Sequence, residues 1–134
     1  TPKSYAQGSL AFAKDLPIEK PDEAIILDMI GDAELHIPIE RNSYRQNRQL
    51  VKKLWSMAEE LSLDAFESRI VYTLYDDHVP LWDEARIPAI DIIDFNYPNS
   101  YANYWHTTQD LPENCSAESL GQVGTLLVHY IYGR

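Results

Sequence analysis

Continuous apolar runs alternate along this chain with stripes of helical period. Ala24-Ile25-Ile26-Leu27-Asp28-Met29-Ile30 is apolar at every position but one and stops at Gly31. That pattern predicts a strand buried on both faces. Leu35-His36-Ile37-Pro38-Ile39 alternates and predicts a second strand, with Pro38 placing it at an edge or a strand end. From Arg45 to Leu61 the period becomes helical, with Leu50, Leu54, Met57, Ala58 and Leu61 on one stripe and Lys52, Lys53, Glu59 and Glu60 off it. Ser68 to Leu74 and Ile87 to Asp94 predict two further strands. An aromatic loop follows from Phe95 to Thr108. The last helix is predicted from Ser116 to Tyr132, with Leu120, Val123, Leu127, Tyr130 and Ile131 inward, Ser116 as N-cap and Glu118 at the positive end of the helix dipole. Residues 1–8 read as a loop and Ser9 to Ala13 as a short helix. Pro17 and Pro21 bracket a polar connector.

Strands alternating with helices define an α/β fold, a mostly parallel or mixed sheet flanked by helices. The length of 134 residues suits a single domain, 1–134. In such sheets sites gather beyond the carboxyl ends of the strands, where Asp28, Asp76-Asp77-His78, Asp91 and Asp94 are expected. A net charge of −10 argues against a nucleic-acid partner, because phosphate binding needs a basic surface. Arg41, Arg45, Arg48, Lys52 and Lys53 are spaced as one solvated helix face. Cys115 is the single cysteine, so the chain forms no internal disulfide and no cysteine-based zinc finger. No apolar run approaches the ~18 residues of a membrane span. The opening Thr1-Pro2-Lys3-Ser4-Tyr5 has neither the basic start nor the apolar stretch of a signal peptide. It also lacks an initiator methionine, and the expectation is a chain that begins inside a longer protein or after processing.

Candidate chemistry is concentrated in a few side chains. Asp28 interrupts an apolar run, and a buried carboxylate needs a partner, a proton or a metal. It reads equally as a site residue or as a cap on the turn at Gly31 and Asp32. Asp76 and Asp77 read either as helix caps or, beside His78, as groups that orient a metal site. His106 stands between Trp105 and Thr107 in the aromatic loop, off any apolar helix face. Carboxylate and imidazole at separated loop positions are the raw material of a zinc site, although two ligands do not hold a catalytic zinc. His36 and His129 carry no assigned role. There is no His-Glu-x-x-His, Gly-x-Ser-x-Gly or Cys-x-x-Cys, and five glycines argue against a phosphate-binding loop.

Four short motifs in order resemble the C-terminal half of the zinc-dependent aminopeptidase and glutaminyl cyclase family: Leu27-Asp28-Met29-Ile30-Gly31; Asp76-Asp77-His78-Val79-Pro80-Leu81; Ile87-Pro88-Ala89; and Trp105-His106-Thr107-x-x-Asp110. Asn114-Cys115-Ser116-Ala117-Glu118-Ser119-Leu120 is similar to the start of that family's last helix. The resemblance runs from about residue 8 to the end and implies a zinc-exopeptidase-like fold. It also implies zinc as cofactor and a peptide or protein N-terminus as substrate.

Residue by residue, the resemblance places Asp28 on the aspartate that binds the second zinc in two-metal aminopeptidases and takes part in proton transfer in one-metal cyclases. Asp76 falls on a cyclase aspartate that hydrogen-bonds at the active site, His106 on the last zinc-binding histidine, and Trp105 on the tryptophan walling the substrate pocket. Asp77 and Asp91 are expected behind these groups, and Asp91 stands where animal cyclases carry histidine. The family's other zinc ligands and its paired Glu-Glu base lie upstream of the Asp28 strand. Nothing before Ala24 matches them, while Gly8-Ser9-x-x-Phe12-Ala13 is similar to the segment just after that pair. The expectation is therefore an incomplete, C-terminal portion of the catalytic domain that is inactive alone. It would associate with itself or with the missing N-terminal half, and its parent protein would be secreted or periplasmic. The alternative is a non-catalytic α/β association module derived from the same fold.

Overall fold

A computed structural model describes residues 4–133. Along the chain run α1 (Gln7–Lys14), β1 (Ala24–Asp28), β2 (Ile37–Glu40), α2 (Arg41–Gln46), α3 (Arg48–Glu60), β3 (Phe66–Tyr72), α4 (His78–Ala85), β4 (Ala89–Ile93), the two-residue strands β5 (Pro98–Asn99) and β6 (Ala102–Asn103), and α5 (Ala117–Tyr132). Residues 1–3 of the loop expected at the start lie outside the described residues.

The α/β reading is borne out. β1 pairs with β4 in parallel, from Ala24 opposite Ala89 to Asp28 opposite Ile93. β2 pairs with β3, also in parallel, and β2 lies beside β4. All residues of β4 and β2 are buried, so these strands form the middle of the architecture. Side chains alternate across a strand, and the two faces of β4 meet different helices. Ile90 and Ile92 join Ile37, Leu54, Val123 and Leu126 in the larger core under α3 and α5. Ala89 joins Leu81, Ile87 and Ala13 in a smaller core under α1 and α4. Each fully buried Ile or Leu contributes about 1.5–3 kcal/mol relative to an exposed one. Asp91 shares the parity of Ala89, and its carboxyl therefore points to the α4 side.

Four local expectations are corrected or narrowed. β1 is not buried on both faces. It pairs only with β4 among the described residues, and Leu27 is 43% exposed. β2 is not a solvent-facing edge, since it lies between β3 and β4 with every residue buried, and of the two expectations for Pro38 the strand end is the one that fits, because Pro38 is the second residue of β2 and stands next to a register shift. The helix expected from Arg45 to Leu61 is two helices broken at Asn47, whose N–H closes α2 on Ser43 O and whose Oδ1 caps α3 at Leu50 N. The buried stripe of α3 also includes Val51 and Trp55, the latter donating its indole N–H to Ile37 O. In α5, Val123 and Tyr130 are buried as expected, but Leu120 and Ile131 are exposed (47% and 54%). Ser119 faces inward instead, its hydroxyl donating to Asp32 O at 2.6 Å, and that bond sets the rotation of the helix.

Candidate functional site

β1 delivers Asp28 at its last residue, and Met29 then turns the chain with φ of 50°. The Asp28 carboxyl lies beside the Met29 N–H and the Asp76 carboxyl, with Asp77 nearby. Burial, then the charge and hydrogen bond of Asp76, raise Asp28 from 3.8 to about 6. Such a group exchanges its proton near neutral pH.

Asp76 comes from the irregular stretch between β3 and α4. Its Oδ1 accepts from Asp77 N–H at 2.8 Å and its carbonyl from Val79 N–H at 2.9 Å. Asp77 sits at the N-cap position of α4, yet its side chain makes no capping bond. Neither aspartate is a conventional side-chain cap, and both line a cavity of about 640 Å³ together with Asp28, Phe95, Trp105 and His106.

The aromatic loop supplies the opposite wall. Trp105 and His106 stack with centroids 3.9 Å apart, and Phe95 meets Trp105 edge-on at 5.4 Å. His106 takes φ of 57°, a left-handed conformation uncommon outside glycine and asparagine. Trp105 N–H donates to Asn103 Oδ1 and Tyr97 OH to Asp110 Oδ1, both at 3.0 Å, which ties the loop at either end. Tyr5, from a segment given no role by the sequence, lies 6.2 Å from Trp105 and 6.5 Å from His106, centroid to centroid. Its aromatic character near an expected helix start was the only available signal.

Asp91 is not in the cavity. It is fully buried behind it, within hydrogen-bonding reach of Asp76, and neither of its oxygens nor Asp76 Oδ2 faces an N–H or O–H donor. Two carboxyl oxygens meet favourably only through a proton. Burial first, then the negative charges of Asp76, Asp28 and Glu40, push Asp91 from 3.8 to about 9. Asp91 is accordingly a neutral acid at pH 7 and donates to Asp76.

Two further residues complete the surroundings, one of which, Glu40, the sequence reading missed. His78, at the start of α4, and Glu40, at the end of β2, are fully buried and bonded Nε2 to Oε2 at 2.9 Å. His78 Nδ1 stands 3.7 Å from Asp91 Oδ2, too far for a hydrogen bond. The Asp-Asp-His run pointed at His78, whereas Glu40 beside Arg41 reads as an ordinary solvated residue.

Asp28 and His106 share the cavity wall, but no group of three or more His, Cys, Asp or Glu is arranged to hold a metal among the described residues. A catalytic zinc takes three protein ligands. The residues present do not make a zinc site by themselves.

Fold and cavity together define a class, that of the zinc exopeptidases and glutaminyl cyclases. The chain belongs to peptidase family M28, whose sequence pattern matches residues 4–131. It is similar to a Zn-dependent exopeptidase from Parabacteroides distasonis, with 31% identity and a TM-score of 0.91 over 100% of this chain and 48% of that one. A glutaminyl cyclase from Tannerella forsythia shows 30% identity and a TM-score of 0.91 over 100% and 48%. One from Porphyromonas gingivalis shows 28% and 0.90 over 96% and 49%. The chain spans about half the length of these solved relatives. No curated protein matches it. No helix among the described residues is long and apolar enough to cross a membrane.

Proposed function

We propose that this chain forms the substrate-pocket side of an M28-type catalytic centre acting on peptide N-termini, by aminopeptidase-type hydrolysis or glutaminyl-peptide cyclisation. The observation that carries the reading is convergence: the end of β1, the stretch before α4 and the aromatic loop bring Asp28, Asp76, Trp105 and His106 to one cavity. His106 serves as a metal ligand on this side, Asp28 joins it in a two-metal aminopeptidase centre, and polypeptide outside these 134 residues supplies the other ligands together with the principal base. Trp105 offers a flat apolar wall to the first side chain of the substrate. Asp28 and Asp76 handle a proton at the substrate's amino end. In a one-metal centre, where Asp28 carries no metal, burial and the neighbouring Asp76 strengthen its hold on that proton, while Asp91 holds Asp76 in place by donating its own. Asp77 supports Asp76 through its backbone N–H.

On this reading the isolated chain is inactive. The test is turnover of short peptides with N-terminal glutamine (ammonia release) or N-terminal leucine (free amino acid release). It compares the isolated chain with the natural gene product, both purified with zinc. Activity in the gene product that Asp28→Asn and His106→Ala each abolish supports the proposal. Zinc-dependent turnover by the 134-residue chain alone, or undiminished turnover in either variant, overturns it. Association without turnover in any form would favour the non-catalytic module.

A further inference from the structure

Asp76 reaches the cavity from a stretch with no regular secondary structure, since β3 ends at Tyr72 and α4 begins at His78. No strand ladder holds residues 73–77, so their position must come from elsewhere. The contacts lead to one side chain. Glu40 Oε1 accepts from Leu74 N–H at 2.9 Å and from Asn42 N–H at 2.9 Å. Glu40 Oε2 accepts from His78 Nε2 at 2.9 Å, from Ser43 N–H at 2.7 Å and from Ser43 Oγ at 2.9 Å. Asn42 adds a second bond to the same point of the stretch, donating Nδ2 to Leu74 O at 2.8 Å.

Leu74 and His78 lie two residues before and two residues after Asp76. The carboxylate thus grips both ends of the segment that presents Asp76. It also reaches β4, because Ser43 Oγ accepts from Asp91 N–H at 2.8 Å while donating to Glu40. Asp76 and the acid that donates to it are referenced to the same buried anion.

Helix capping does not account for this arrangement. Capping α2 needs only Asn42 N–H and Ser43 N–H, which a neutral Ser, Thr or Asn satisfies without burying a charge. Burial opposes the charged form of Glu40. The His78 hydrogen bond, followed by the Leu74 and Asn42 amides, outweighs it and holds the group down at about 2. The anion is fixed in place, and of its three bonds beyond the cap one goes to Ser43 Oγ and two go to the Asp76 segment.

We propose that Glu40, acting through Leu74 and His78, is a positioning residue that holds Asp76 beside Asp28 in the cavity. The inference rests on the proposed function only for what the Asp28–Asp76 pair then does. The positional claim stands on the hydrogen bonds themselves.

Amide hydrogen exchange and the carboxyl carbon NMR signal of Asp76, both at fixed pH on the 134-residue chain, test it. His78→Leu removes the donor that faces Glu40, and His78→Gln restores an N–H donor at nearly the same reach. Asn42→Ala is a milder cut that removes only the second bond to Leu74. In His78→Leu the exchange of Leu74 and Asp77 amides should rise by about tenfold, the effect of losing one hydrogen bond to a charged group. Amides of Val123 and Leu126 in α5 should change by less than about threefold. The Asp76 carboxyl signal should move in His78→Leu and return towards its original position in His78→Gln. Asn42→Ala should accelerate Leu74 exchange in the same direction, and it remains informative if His78→Leu does not fold. Equal acceleration in α5 and at residues 74–77, unchanged Leu74 exchange in Asn42→Ala, or a His78→Gln chain that behaves like His78→Leu would overturn the proposal. The reading of the carboxylate pair as the reacting groups fails on a different result, namely full turnover in Asp28→Asn with Leu74 protection untouched.

Discussion

Replacing Asp91 with asparagine should remove most of the penalty this chain incurs as pH rises. Asp91 titrates near 3.8 when unfolded and is pushed to about 9 in the fold by burial and the charges of Asp76, Asp28 and Glu40. Its contribution to stability is fully present below pH 3.8 and is lost as pH climbs towards 9, because the folded chain must keep a proton that the unfolded chain releases. Between pH 6 and pH 8 the folded state holds one proton more at this position. The cost is on the order of 1 kcal/mol per pH unit, or about 3 kcal/mol across the window. Asparagine carries no such proton, and its Nδ2 can donate to Asp76 Oδ2 where the acid proton did. The unfolding free energy of Asp91→Asn relative to the original chain should therefore grow by about 3 kcal/mol from pH 6 to pH 8. With a denaturant slope of ~1–3 kcal/mol per molar urea, the midpoints should separate further by on the order of 1 M. Urea melts followed by tryptophan fluorescence at pH 6, 7 and 8 provide the measurement. A difference that stays flat across the window would mean that folded Asp91 is ionised, and the account of the carboxyl cluster would be wrong.

Other perturbations reach separate parts of the structure. Leu54→Ala empties a fully buried position in the larger core and should cost about 2–5 kcal/mol in the same melts, with a loss below about 1 kcal/mol contradicting the packing described. Asn47→Ala removes the Oδ1 cap on Leu50 N–H and should cost about 1 kcal/mol, whereas an uninterrupted helix from Arg41 onward would lose nothing. Calorimetric titration of the isolated chain with zinc should show only weak uptake, roughly 0.1 mM or worse, because two protein ligands stand in for three. Affinity near a micromolar or tighter would reveal a complete site.

What the sequence made legible, and what it hid, follows from the kind of interaction involved. The strands β1 and β4, though not their pairing, and part of the inward stripe of α3 were legible because apolar patterning reports burial. Asp28, Asp76, Trp105 and His106 could be named because a carboxylate ending an apolar run and a histidine in an aromatic loop are chemically conspicuous. Their convergence came only as an implication of the family resemblance, since the residues themselves do not show how three segments far apart in sequence fold together. The break at Asn47 was hidden because Leu50 and Leu54 continue an unbroken stripe, while the dihedral change is confined to one residue. Pro38 left an edge and a strand end equally open, because its missing donor suits either, and the structure places it next to the start of a buried strand. Leu120 and Ile131 misled because α5 carries apolar residues on more than one face, and a hydroxyl bond from Ser119 chose between them. Glu40 was the least legible of all. A glutamate beside an arginine looks solvated until five donors from two segments are seen to close around it.

The central claim is that the cavity of Asp28, Asp76, Trp105 and His106 is one side of a zinc-dependent centre for peptide N-termini. Its most direct test is zinc-dependent turnover of N-terminal glutaminyl and leucyl peptides by the natural gene product, measured with and without His106→Ala. The account predicts activity that chelation removes, that added zinc restores, and that His106→Ala abolishes while the cores under α3 and α4 stay folded. Zinc-dependent turnover that persists unchanged in His106→Ala would contradict it.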